Sequence, residues 1–429
     1  MNRVPARPPR SVAVGIVIAF GAAAGACAGG PQTRTPGPSE GSAHPTFVFV
    51  GTAAGTIEGL SLEGGSSGGP GAGGATSTVG PVSLTPRTKI ANGGTPAALT
   101  NLPFGKMLVA LDDKAGAIVA YEVDGATGAL HPTGHGSSAG SKPGRITLDH
   151  SGKYVLVTNQ ASASVAVLAV GPSGHLSPPD LFPAAPGAFG LALHQSNTMA
   201  FVANAKAGTL SQLTFNVGTG TLTTKPGAAI GFPWGSGPKL VVCHPRGRWV
   251  YVLNETNNTV SVHSFDDRMG TISRLAFQVV SLATSDAATD AADEAKPTLP
   301  AQGKAGKGAR AAAKAEKAAE KVRPHEMAVA VSGRFAYVLD GGKDDLATFA
   351  IEDETGALTL VDHEPSGGTG AVGLALDPTG QFLVVVHQGS RQVAAFHLDQ
   401  KTGVPSLVDS TRLANAPVSV TMIKVAAGN

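Results

Sequence analysis

One unit recurs along this chain, and it restricts the fold more than any other feature does. The unit consists of a short strand, a turn containing Gly, an apolar second strand, an Asn or Asp, a third strand and a Thr-Gly-x-Leu turn. One clear copy is Asp149-His150-Ser151-Gly152-Lys153-Tyr154-Val155-Leu156-Val157-Thr158-Asn159, followed by Ser164-Val165-Ala166-Val167-Leu168. A second is His244-Pro245-Arg246-Gly247-Arg248-Trp249-Val250-Tyr251-Val252-Leu253-Asn254, followed by Thr259-Val260-Ser261-Val262-His263. A third is Asp377-Pro378-Thr379-Gly380-Gln381-Phe382-Leu383-Val384-Val385-Val386-His387, followed by Gln392-Val393-Ala394-Ala395-Phe396. The closing turn is spelled out as Thr127-Gly128-Ala129-Leu130, Thr219-Gly220-Thr221-Leu222 and Thr355-Gly356-Ala357-Leu358.

Each part of the unit has a physical reason. Pro-x-Gly and Ser-Gly let the chain reverse at positive φ. Short runs of Val, Leu, Tyr and Phe suit a pleated strand buried on both faces. The Asn or Asp that follows can bond its own backbone and end the ladder. Second strands are expected at Phe47–Val50, Met107–Leu111, Tyr154–Thr158, Met199–Ala203, Trp249–Leu253, Phe335–Leu339 and Phe382–Val386, which makes seven. The first copy has no strand ahead of it, while Pro417–Ile423 is a strand with no unit after it. Pairing the two closes a ring without a bare edge. The expected fold is therefore all-β: a seven-bladed β-propeller over residues 46–425, closed by the C-terminal strand pairing with the N-terminal blade.

Composition agrees with that expectation and narrows the partners. Gly 57 and Pro 30, with charged residues at only 14%, fit many short elements joined by turns. Aromatics at 5% leave the core to Val, Leu and Ala. A net charge of +2 gives no strong field and no argument for a nucleic-acid partner. Two cysteines, Cys27 and Cys243, cannot make a disulfide framework. No zinc, EF-hand, P-loop, dinucleotide or serine-hydrolase signature is present, so neither a metal nor a cofactor is expected.

The first residues have a different purpose. Arg3, Arg7 and Arg10 precede an apolar run, Ser11–Ala26, which is a secretory signal and too short for a convincing membrane span. Ala24-Gly25-Ala26-Cys27 resembles a bacterial lipobox, although Ala24 stands where Leu is usual. Residues 1–27 are accordingly expected to be a lipoprotein signal with Cys27 lipidated; cleavage of a plain signal near the same bond is the alternative. A triacylated cysteine anchors a protein stably, at about 0.8 kcal/mol for each buried methylene. Residues 28–45, rich in Gly, Pro, Ser and Thr, form a tether. The protein is thus expected in the bacterial cell envelope, on the membrane by its lipid anchor alone, and monomeric.

Two segments leave the repeat. Gly64–Gly74 is nearly all Gly, Ser, Ala and Pro, a loop within or just after the first blade. Residues 283–322 are Ala-, Asp- and Lys-rich and lengthen the gap between the fifth and sixth units by about forty residues. That insertion is expected to be solvated, disordered or partly helical, the other reading being a partner-binding segment.

Gly237-Pro238-Lys239-Leu240, continuing through His244-Pro245-Arg246-Gly247-Arg248-Trp249-Val250-Tyr251-Val252-Leu253-Asn254-Glu255, resembles a stretch of the lactonase family. There the pattern is Gly-Pro-Arg-His, then His-Pro-Asp-Gly, then Tyr-Val-Leu-Asn-Glu. Pro324-His325-Glu326-Met327 with Ser332-Gly333-Arg334-Phe335-Ala336-Tyr337, and the Asp377–Val386 unit, resemble later blades of the same family. Members include 6-phosphogluconolactonase and a fungal carboxymuconate-lactonising enzyme. The resemblance implies a site in the central channel with His, Arg and Glu around a lactone. A carboxylate or imidazole there activates water or moves a proton, and a cation stabilises the charge that develops on the carbonyl oxygen.

Carried over residue by residue, little of that site remains. The family glutamate is Glu255; the arginine is Lys239, a cation without a planar fork; the following histidine is Leu240. Pro-His-Ala-His corresponds to Pro186-Gly187-Ala188-Phe189, the Ser-Asn-Arg arginine to Gly341, and the last Pro-Arg to Ala371-Val372. Three functions stay open. The channel was rebuilt around Glu255 as base and Lys239 as electrophile, acting on a non-phosphorylated lactone; or the scaffold binds a small-molecule or protein ligand without chemistry; or it is structural. Arg145 stands where a His is usual and can replace a lost cation, while Arg323, His325 and Glu326 lie near the sixth unit's first strand. Each also has a plain explanation: Glu255 as a strand-end cap, Arg145 and Lys239 as rim residues, His325 and Glu326 as a local pair. Cys243-His244 fits packing better than thiol or metal chemistry. His150, His194 and His387 fall in different units, and sequence position does not bring them together.

Detergent partitioning checks the anchor. The native protein is expected in the detergent phase, and a Cys27→Ser variant in the aqueous phase.

Overall fold

A computed structural model of the chain describes residues 45–64, 82–102, 105–224, 229–266, 268–273, 278–282 and 324–425. Cys27, the tether up to residue 44, Arg323 and the 283–322 insertion lie outside the described residues. The described residues form strands and turns with no helix.

The strands make seven antiparallel sheets, each traversed from an inner strand outward through a second, a third and an outer one. The inner strands of blades 2 to 7 are Pro96–Asn101, Pro143–Leu148, Ala188–Leu193, Pro238–Cys243, Pro324–Val329 and Ala371–Leu376. Short extra strands, Ile230–Gly231 and Gln278–Ser281, pair with the third strands of blades 4 and 5. Blade 1 is composite: Thr46–Thr52 is its second strand, and its inner strand is Pro417–Lys424 from the other end of the chain. The two run antiparallel from Thr46 opposite Lys424 to Gly51 opposite Ser419. Each inner strand touches the inner strands on both sides of it, and the circuit closes through Pro417–Lys424. This is the seven-bladed, end-paired ring expected from the repeat.

The apolar core is not one body but seven seams, one between each pair of neighbouring blades. Strand alternation makes this possible, because successive side chains point to opposite faces of a sheet. On the second strand of blade 5, Tyr251 and Leu253 pack toward blade 6 while Val250 and Val252 pack toward blade 4. A strand between two seams is apolar at every position, which explains the unbroken Val-Tyr-Val-Leu runs. The closing seam joins Val48, Val50 and Met422 of blade 1 to Phe382, Val384 and Val386 of blade 7.

Polar staples cross the same seams. The Tyr251 hydroxyl donates to the Gly356 carbonyl at 3.1 Å, and that of Tyr337 to the Gly403 carbonyl at 2.9 Å. In each case a central strand is tied to the Thr-Gly turn of the next blade. The glycine of that turn lies flat on an aromatic ring: a Cβ on Gly356 would sit 2.4 Å from Trp249, and one on Gly403 2.3 Å from Phe335. Gly356 also has φ +69, a conformation that costs an L side chain about 1–2 kcal/mol.

The residue ending each second strand divides by type. Asp112 bonds its own turn, its Oδ1 accepting from the amides of Lys114 at 2.8 Å and Ala115 at 2.6 Å. Asn204 and Asn254 sit as the last paired residues and reach mainly to the third strand, donating to Ser211 Oγ at 2.9 Å and Thr259 Oγ1 at 3.1 Å. An amide can donate as well as accept, so Asn204 and Asn254 bond across to the third strand where Asp112 turns back on its own loop.

The two costs at Gly356 separate by comparison with Gly208, which has φ +61 and nothing within 4 Å of a new Cβ. Gly208→Ala is expected to cost about 1–2 kcal/mol from backbone strain alone. Gly356→Ala adds a steric overlap worth about 1–3 kcal/mol. Urea denaturation of the two variants checks the difference.

Candidate functional site

Each inner strand begins with a register shift against its second strand, so one residue near its start is bulged out of the ladder. In blades 2 and 4 to 7 this residue is Ala97, Phe189, Lys239, His325 and Val372; in blade 1 it is Val418, and in blade 3 the shift covers Gly144 and Arg145. Five of the seven inner strands start with Pro (Pro96, Pro143, Pro238, Pro324 and Pro417). Proline donates no ladder hydrogen bond and belongs at a strand's first residue or beside a bulge. A bulge re-aims its side chain out of the pleat, here at one end of the central channel. The result is a ring of aimed positions, of which Ala97, Gly144, Phe189, Val372 and Val418 bring no polar side chain.

Inside the ring is a cavity of about 490 Å³ whose lining comes from the inner strands of all seven blades. Arg145, Lys239 and Glu326 are its charged residues near the bulged end, with Phe189, Val372 and Val418 around them. Toward the other end it is bounded by Leu376, Asp377 and Met422. Asp377 is turned into its own loop, where Oδ1 accepts the Phe382 amide at 2.8 Å and Oδ2 the Thr379 amide at 3.1 Å. The wall between blades 1 and 2 is polar but satisfied from within: Thr421 Oγ1 bonds Asn101 Oδ1, and Asn101 Nδ2 donates to the Met422 carbonyl at 3.0 Å.

The site residues expected from the sequence form two ion pairs. Lys239 bonds Glu255, which lies in the turn after the second strand of its own blade. The Glu255 amide donates to the Gly237 carbonyl at 3.0 Å, tying that turn to the start of the inner strand. Lys239 Nζ also lies 5.6 Å from the ring centroid of Phe189, within cation–π range. Lys239 lines the cavity and Glu255 does not; the Glu255 side chain is 44% exposed. The second pair, Arg145 with Glu326, joins blade 3 to blade 6 across the channel. Glu326 is thus paired with a cation from the far side of the ring, and Arg145 is not a free rim residue. His325 occupies the bulge of blade 6.

The other imidazoles do not converge. His194 Nε2 bonds the Gly247 carbonyl at 2.7 Å, and His244 Nε2 bonds the Gly333 carbonyl at 2.9 Å. Each links its own turn to the turn of the next blade, a staple that repeats the tyrosine links at another level of the seam. His387 ends the second strand of blade 7, and its Nε2 lies 2.9 Å from Ser366 Oγ. Cys243, ending the inner strand of blade 5, packs on the seam with blade 4. Sequence inspection missed the ring of bulges and the cross-channel pair. Five Pro residues heading matching strands marked the first; nothing local in the sequence marks the second.

Comparison with known proteins adds the family. The profile described as lactonase, 7-bladed β-propeller, matches residues 81–422. Among curated proteins, 6-phosphogluconolactonase of Bacillus subtilis is 26% identical over 277 residues, covering 62% of this chain and 69% of that one. The protein of the same name from Formosa agariphila is 24% identical over 297 residues, covering 65% and 74%. Among solved structures, a putative 6-phosphogluconolactonase from Bacteroides fragilis superposes with a TM-score of 0.69 at 18% identity, over 90% of this chain and all of that one. The periplasmic gluconolactonase of Pseudomonas aeruginosa gives 0.67 at 21%, over 89% of this chain and 100% of that one.

Burial pulls the His244, His263 and His387 imidazoles below the ordinary histidine value of 6.5. The unfolded chain then binds more protons than the folded one, so stability is full above pH 6.5 and declines as pH falls through the lowered folded values. The slope is at most about 1.4 kcal/mol per pH unit for each such imidazole. His387→Asn places there the residue that blades 3, 4 and 5 carry as Asn159, Asn204 and Asn254. Urea midpoints between pH 7.5 and 5 are expected to fall less steeply for this variant than for the native protein.

Proposed function

The chain belongs to the lactonase family of seven-bladed β-propellers, and on that premise we propose that it binds a small, non-phosphorylated molecule in the bulged end of its channel. The observation that carries this is the state of the cations. Among the described residues, the two cations that line the cavity, Arg145 and Lys239, already hold a carboxylate partner. A phosphoryl group needs cations of its own to offset about two negative charges, best supplied as planar forks. The remaining aimed positions, Ala97, Phe189, Val372 and Val418, offer apolar contact to a ligand's body. The signal and Cys27 support a place in the cell envelope, held by lipid and acting as a monomer.

A second reading, turnover of a neutral lactone, is favoured by the Lys239–Glu255 pair at the same end of the channel. There Lys239 would stabilise the lactone oxygen, and Glu255, outside the cavity lining but paired with Lys239, would turn from it to take a proton from the attacking water.

Two measurements on the mature chain purified in detergent separate these possibilities. Calorimetric titration is expected to show 6-phosphogluconate binding no more tightly than D-gluconate; a clear preference for the phosphorylated acid overturns the proposal. Hydrolysis of D-glucono-1,5-lactone is expected to proceed equally with native protein and with Glu255→Gln. A loss of about 10²-fold or more in the variant, the usual size of general-base effects, establishes turnover instead.

A further inference from the structure

The Arg145–Glu326 pair is unusual in where it stands. Blades 3 and 6 are as far apart as a ring of seven permits, so the pair bars the channel along a diameter. Arg145 is the second of the two residues covered by the blade 3 register shift, and Glu326 directly follows the bulge of blade 6. Glu326 faces Leu339 in the ladder, and the Arg145 amide donates to Thr158 Oγ1 at 2.9 Å. At the matching position the other blades carry Ala98, Gly190, Leu240, Gly373 and Ser419. Small or apolar residues therefore satisfy the fold there, and charge is present in only two blades, of opposite sign, touching each other. A lone ion pair of this kind adds little net stability, because desolvation offsets most of the attraction. Both side chains border the cavity, at 31% exposure for Arg145 and 17% for Glu326.

We propose that Arg145 is the carboxylate anchor of the channel, and that Glu326 holds it as an internal stand-in for the carboxylate of a small monocarboxylate ligand. This rests on the channel being a ligand site. A guanidinium presents a planar fork that a carboxylate matches with two parallel hydrogen bonds. A ligand carboxylate exchanges one for one with that of Glu326, which turns into the open cavity. A dianion gains no such even exchange, in keeping with the preference for non-phosphorylated ligands. The bar also sets the depth of the site: a ligand entering from the bulged end stops at Arg145, with its body against Phe189, Val372 and Val418.

Calorimetric titration of the mature chain with D-gluconate and with its neutral counterpart, D-gluconamide, tests this. Glu326→Gln keeps the side chain's shape and frees the guanidinium, so gluconate is expected to bind at least tenfold more tightly than to native protein, while gluconamide is unchanged. The charge-neutral double variant Arg145→Gln/Glu326→Gln leaves no unpaired charge to unfold it and is expected to lose that gain. Gluconate binding equally to native protein and Glu326→Gln, or the gain persisting in the double variant, overturns the proposal. If gluconamide binds all three forms alike in such a result, the channel remains a ligand site and only the role of Arg145 falls. If neither compound binds any form, both fall. Should Glu326→Gln fail to fold, the native protein against the double variant still decides: residual gluconate binding is expected to disappear while gluconamide binding persists.

Discussion

The structure depends on one pairing, the antiparallel ladder between Thr46–Thr52 and Pro417–Lys424. Without it blade 1 has no inner strand, and Val48 and Val50 lose Met422 from the seam they share with blade 7. Because the core is seven seams rather than one centre, each blade is held only by its two neighbours. A linear array of such units ends in two apolar faces, and only closure removes both. The contact joins residues more than 360 positions apart by numbering, so its loop-closure entropy is recovered late in folding. The other six sheets are each assembled from consecutive strands.

Closure also creates the site. The seven inner strands surround one cavity, and residues at or just after the bulge near the start of each line it. The side chains placed there are then within reach of one another although they come from all parts of the chain. There a Lys meets the ring of the adjacent blade, as Lys239 meets Phe189. Arg145, with the longest side chain, meets Glu326 across the diameter. The scaffold thus supplies geometry without chemistry, and what it does follows from residues at a few aimed positions.

The fold was legible in the sequence because its signals are local and repeated. A turn glycine, an apolar run and a Thr-Gly turn recur in register, and each reports on its own surroundings. Even the composite blade could be inferred, since an unmatched strand at each end has one economical use. The site was only half legible. Lys239 and Glu255 lie sixteen residues apart and flank one two-strand hairpin, so their meeting follows from local topology. Arg145 and Glu326 were each picked out, but as separate cations and anions. Their contact spans 181 positions and depends on blade angles that no short window of sequence contains.

The charges of the channel explain why family membership does not by itself specify the ligand. A structure named as a putative 6-phosphogluconolactonase shares the ring at 18% identity, a likeness of fold alone. At the aimed positions Phe189 and Val372 the lining offers apolar contact without charge. Had the remaining cations been left alone in such surroundings, each would carry an uncompensated desolvation cost. Instead, among the described residues, the two that line the cavity each hold a carboxylate, Lys239 one from its own hairpin and Arg145 one from the far side of the ring. A site balanced in this way repels neither sign strongly and strongly attracts neither. On the proposed reading, its selectivity comes from exchange at the pairs it already holds and from fit against its apolar rim.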